Sequence, residues 1–339
     1  MLKRFFILPL ILAISPGAFA DSDTNPSEAA SSAAAKALSH AADALTHAAE
    51  ALKLASEAFQ QALEAERNAK ELLAQVEEEP GRPGDSLPKG TEEMWAKRGT
   101  LDGLEAFIAE LETRSSKDSG DLNSLVWLSR AYYLKGDGYI GYESDVREDL
   151  LATFTKGMDY GMQAMRMINP PFATAVDGGT PVEDATSNLT ADSLGAIYWY
   201  AVNLGKFAGN KDFPTLLFYK ATIKGLMDRA LEIDEFYFYG AFHRYFGAYY
   251  AKAPAFAGGD MNKSKYHFDR ALEIEPNYLA TRVLVADYYA KKTEDTELYE
   301  RQLKTVLDTD PNVLPAVEVE NRFEQRKAKK MLENMDDVF

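Results

Sequence analysis

The 339-residue chain contains no cysteine. That excludes structural disulfides, thiolate zinc sites, cysteine nucleophiles and a lipid anchor on an N-terminal cysteine. Histidine is scarce, with 4 residues, and no HExxH or GxSxG pattern occurs, so neither metal nor nucleophile chemistry is indicated. Positive charge is also in short supply, since 37 basic against 53 acidic side chains leave a formal charge of −16. Phosphate repels such a chain within a Debye length of ~8 Å, which argues against nucleic acid and anionic membranes as main partners. Long hydrophobic runs are missing as well. The apolar stretch from Phe5 to Ile14 is far short of the ~20 residues that span a bilayer. It follows Lys3 and Arg4 and precedes Ala18-Phe19-Ala20, which predicts a cleaved secretory signal over residues 1–20, a periplasmic location and no transmembrane span.

Glycine and proline are absent from Ala29 to Glu79, where the composition narrows to strong helix formers. Ala34, Ala41, Ala48, Ala55, Ala62, Ala69 and Val76 recur every seven residues. Leu38, Leu45, Leu52, Phe59 and Leu73 fall four positions later, interrupted by Glu66. A strict spacing of seven keeps one stripe facing a partner only in a left-handed supercoil, so residues 21–79 are expected to form an alanine-zipper coiled coil that self-associates. In composition the segment resembles the alanine-rich trimeric zippers of bacterial envelope lipoproteins. His40 and His47 flank the stripe and read as solvated side chains.

Pro80, Gly81, Pro83, Gly84, Pro88 and Gly90 then mark residues 80–90 as a linker. Every tryptophan and tyrosine lies beyond it, which places the packed core in residues 91–339. Apolar spacings of three and four predict an all-α body with helices over Asn123–Lys135, Asp145–Met167, Asp192–Ala208, Pro214–Ile233, Tyr239–Ala253, Asn262–Ile274, Tyr278–Lys292, Thr296–Leu307 and Val319–Met335. Arg229–Asp234 (RALEID) recurs as Arg270–Glu275 (RALEIE), followed by Pro276. Related endings occur at Met165–Pro170 and Val306–Pro311. These repeats resemble tetratricopeptide helix pairs, with Gly247, Tyr250, Phe268, Ala271 and Pro276 in the structural positions. A solenoid of about four pairs and a capping helix is expected.

The GxGxxG spacing of Gly136–Gly141 follows a helix rather than a strand and reads as a loop, so no dinucleotide site and no cofactor are indicated. The most unusual stretch runs from Phe236 to Asp260. One helix face admits about half of its residues, so some of these aromatics must line a groove, pore or interface. Phe236, Tyr239, Phe242, His243, Arg244, Tyr245, Tyr249 and Phe256 are the candidate ligand or partner contacts. Gly258 and Gly259 permit a tight turn, and Asp260 is placed to cap the next helix.

Gly240–Asp260 (GAFHRYFGAYYAKAPAFAGGD), with His267-Phe268, Arg270–Ile274, Thr281-Arg282-Val283-Leu284, Asp287–Tyr289 and the C-terminal Glu320-Asn321, resembles the T-component (TatT-like) family associated with TRAP transporters over about residues 95–339. The resemblance implies a periplasmic helical-repeat protein, often trimeric, that encloses an apolar passage. It further implies docking to a TRAP solute-binding protein and handing on of a small apolar or organic-acid ligand without chemistry of its own. Lipoprotein members exist, and this chain lacks the cysteine they require. The alternative is a general repeat scaffold that assembles envelope proteins.

Overall fold

The structure is a computed structural model and describes residues 26–76, 81–142 and 146–339; the expected secretory signal lies outside these residues. The chain divides into two compact units, residues 1–79 and 80–339. In the first, α1 (Pro26–Val76) is a single helix of 51 residues, ~77 Å long at ~1.5 Å per residue. No Gly or Pro interrupts it after Pro26. Leu38, Leu45, Leu52 and Phe59 are 62–75% exposed and lie uncovered on its surface. The side chain of Leu73 lies outside the described ones.

The second unit begins with α2 (Glu92–Ala96), α3 (Leu101–Lys117), α4 (Leu122–Gly138), α5 (Arg147–Ile168), α6 (Pro170–Asp177) and α7 (Val182–Ala185). It continues with α8 (Leu194–Lys211), α9 (Phe213–Ile233), α10 (Tyr237–Lys252) and α11 (Met261–Ile274). The last helices are α12 (Leu279–Leu284), prolonged by a π-helical turn at Val285–Ala290, then α13 (Thr296–Asp308) and α14 (Glu318–Glu333). No strand occurs among the described residues, and helices pack on their successors as an all-α helical repeat. Starts are set by side-chain caps: Thr100 accepts from the Gly103 N–H, Asp121 from Ser124, Asp212 from Thr215, and Asp260 from Asn262 and Lys263. Each such cap contributes ~1 kcal/mol by satisfying amides that the helix leaves free.

All nine expected helices are present, with shifted ends. α3 was not among them, although Leu104, Phe107, Ile108 and Leu111 carry the helical spacing and are its buried positions. The expected loop at Gly136–Gly141 needs correcting, because Gly136 and Gly138 form the last turn of α4 and are buried. A Cβ at Gly136 would lie 2.5 Å from Phe154, and one at Gly138 would lie 2.3 Å from Phe323. These glycines therefore serve close helix packing. Gly247 does the same for α10 against α11, where a Cβ would come 2.6 Å from the ring of Phe268.

Three buried clusters hold the unit together. Phe172, Ile197, Leu226, Phe242 and Phe246 belong to one formed by α4–α10. A second joins Trp95, Phe107 and Trp127 to Phe323, and a third joins Leu279, Tyr299 and Leu303 to Ala328. The last helix contributes to both of these, so α14 ties the end of the repeat back to its beginning.

Candidate functional site

The return of α14 leaves a cavity of about 410 Å³ between α4, α8, α10, the α12 region and α14. Its wall carries four cations, Arg130, Lys206, Arg244 and Lys252, against three carboxylates, Asp137, Glu320 and Glu324. All three carboxylates also serve cations outside the wall, Glu324 accepting from Lys327 at 2.8 Å. Glu320 accepts from Arg98 and from Arg130, each at 2.9 Å, and Asp137 accepts from Lys206 and, at 2.9 Å, from Lys327. Burial pushes the Asp137 carboxyl up, but Lys206 and Lys327 outweigh it and hold the group below the usual carboxylate range.

Tyr133, Tyr198, Tyr278 and Tyr288 add phenols to the wall. None of these hydroxyls has a protein hydrogen-bond partner among the described residues. Burial raises Tyr133 and Tyr278 well above the ordinary phenol value, so both stay protonated and remain donors. Arg244 is 3% exposed. It donates to the backbone carbonyls of Phe238, at 2.9 Å, and of Tyr239. Its guanidinium lies 4.1 Å from the centroid of Tyr278 and has no carboxylate partner among the described residues.

A wider cleft of about 930 Å³ lies on the other side of Arg130, Trp199 and Phe238, which line both spaces. The Arg130 guanidinium stands 4.6–5.3 Å from the ring centroids of Trp95, Trp127, Trp199 and Phe238. Backbone geometry is unusual at this point. Phe238 (φ 43°, ψ 57°), Tyr239 (φ 60°, ψ 40°) and Gly240 (φ 74°, ψ 36°) are consecutive left-handed residues at the start of α10. Glycine adopts that region freely, whereas the two aromatic residues lose roughly 1–2 kcal/mol each.

A third, shallow depression of about 530 Å³ holds His243 and His267. Their Nδ1 atoms are 2.9 Å apart, and His243 Nε2 lies 3.0 Å from Glu235, which also pairs with Arg270. Only one hydrogen fits between the two Nδ1 atoms, so the two rings cannot both be charged. Burial lowers both imidazoles, His267 to about 4, aided there by His243. Arg270 and then His243 hold the Glu235 carboxyl down to about 2. Among the described residues no three His, Asp or Glu side chains converge on a metal position.

The eight expected contact residues therefore do not form one site. Arg244 and Tyr245 line the 410 Å³ cavity, Tyr239 the wide cleft, and His243 the histidine depression; Phe236 borders the last two. Tyr249 stacks on Tyr245 with Lys220 over its ring, and Phe256 is 93% exposed on the loop before α11. Phe242 is corrected to a core residue: it is 0% exposed, stacked on Tyr237 and edge-on to Tyr198. Sequence reasoning missed Arg130, Trp199, Phe238, Tyr278 and Glu320, which are far apart along the chain.

The chain has no match among curated proteins. The sequence pattern of the TRAP transporter T-component family, TAtT, matches residues 144–339, more than half of the chain. This span starts later than the resemblance read from residue 95, so the α4 wall, with Arg130, Tyr133 and Asp137, precedes it. It contains the Gly240–Asp260 run, the left-handed turn, and the α14 helix that closes the cavity. The chain belongs to the TRAP transporter T-component family.

Proposed function

We propose that the protein is a non-enzymatic, periplasmic accessory component of a TRAP-type transport system, a trimer that docks a solute-binding protein and holds a small ligand in the 410 Å³ cavity. Family membership supports the transport role. The ligand reading is carried by one contrast: in a chain of charge −16, the cavity wall has more cations than carboxylates. Its phenol donors suit an acceptor-rich head group, while Trp199, Phe238 and Phe323 suit an apolar body. A small organic acid with a hydrocarbon or aromatic portion meets both demands. The volume lies within the ~300–1,000 Å³ of small-molecule sites.

Oligomerisation is supported by Leu38, Leu45 and Leu52 of α1, which repeat every seven residues and find no cover among the described residues. Partner docking is supported by Phe213, Leu217 and Phe218, which are 56–76% exposed on the first turns of α9. Native mass spectrometry of the full chain purified from its own periplasm is expected to show trimers carrying a solute-binding protein or a small acid. A monomer with neither would overturn the reading.

A further inference from the structure

Arg130, Trp199 and Phe238 line both the cavity and the wide cleft and so form a septum between them. Two of the three are firmly anchored. Arg130 is paired with Glu320 and surrounded by rings, and Trp199 is 5% exposed within α8. Phe238 differs, because its backbone is the first of three consecutive left-handed residues. Its ring packs 5.2 Å from Trp199 and 5.7 Å from Tyr278. A conformation that L residues avoid persists only where surrounding contacts impose it, and such strain concentrates at moving parts. The imposing group here is Arg244, whose guanidinium binds the carbonyls of Phe238 and Tyr239. This cation is almost wholly buried and has no carboxylate partner among the described residues, so an acid in the cavity would compete with those two carbonyls for it.

We propose that the Phe238 ring is a gate between the two spaces, that residues 238–240 are its hinge, and that Arg244 is a latch released by a carboxylate ligand. The inference rests on the ligand reading above. Entry of the acid draws the guanidinium off the two carbonyls; the turn then relaxes toward right-handed backbone and the ring leaves the septum. A ligand without a carboxylate has no differential hold on the open state and leaves the latch closed.

Exchange kinetics of 4-phenylbutyrate and its neutral amide on the full-length protein, followed by ligand-observed NMR, test this. The wild type is expected to bind the acid about tenfold more tightly than the amide. Phe238→Leu keeps an apolar side chain but removes the ring; it should raise association and dissociation rates together, about fivefold or more, while the acid-to-amide affinity ratio stays near tenfold. Arg244→Met should speed amide exchange in the same way and abolish the preference for the acid. Should that variant not fold, Phe238→Leu and the acid-to-amide ratio decide the matter. Acid binding in which Phe238→Leu raises only dissociation, or alters neither rate, overturns the gate and leaves the ligand reading standing. Equal affinity for acid and amide overturns the latch. Failure of both probes to bind the wild type removes the ligand reading, and the gate with it.

Discussion

The histidine pair shows how one contact sets a titration. With His243 and His267 sharing a single hydrogen across 2.9 Å, the two rings cannot both carry a proton on Nδ1, so they cannot both be charged. Both imidazoles are lowered from their ordinary 6.5, so the unfolded chain binds more protons than the folded one below that pH. The stability this pair contributes is complete above 6.5 and disappears as pH falls toward about 4. Glu235 acts in a lower window: its contribution is complete above 4.5 and is lost as pH falls toward about 2. Melting temperature should therefore decline in two steps on acidification. His267→Phe, which suits the neighbouring rings of Phe246 and Tyr250, should remove most of the first. A wild-type melting temperature that stays level from 6.5 to 4 would contradict the lowering of this buried pair.

Elements differ in how openly the sequence declares them. α1 is announced by its seven-residue repeat, and α9, α11 and α13 by apolar spacing bounded by Asp caps. The start of α10 is not announced, because left-handed backbone is signalled only by glycine and only Gly240 supplies it. The density of aromatics did point to α10, but it could not say that Phe242 turns into the core while Phe238 turns to the cavity. Arg130, Tyr278 and Glu320 were illegible for another reason: each looks ordinary on its own helix, and only packing brings them together. For α1 the test is direct. Leu45→Lys with Leu52→Lys puts two charges into the stripe, at a cost of several kcal/mol per associated chain once each is buried. Analytical ultracentrifugation should show a shift to smaller species with helicity of the second unit retained. An unchanged mass would assign association to another surface.

At the scale of the molecule, Glu320 is one of the groups that close the second unit, beside the Lys327–Asp137 pair. Glu320 on α14 takes Arg98, which follows α2, and Arg130 on α4, with all three side chains at most 15% exposed. Glu320→Ala leaves two guanidiniums without a counter-charge in this setting, which costs about 3–5 kcal/mol. A matching fall in denaturant midpoint is expected, together with earlier exchange of the α14 amides. A change below about 1 kcal/mol would mean that water screens the pair.

The clustering around Arg130 has an optical consequence. The chain has only 3 tryptophans, and Trp95, Trp127 and Trp199 all lie within 5.3 Å of this one guanidinium. All of the indole emission from the protein therefore originates around a single charge at the wall between the two spaces. The position and intensity of that band should report events at the wall with no label attached.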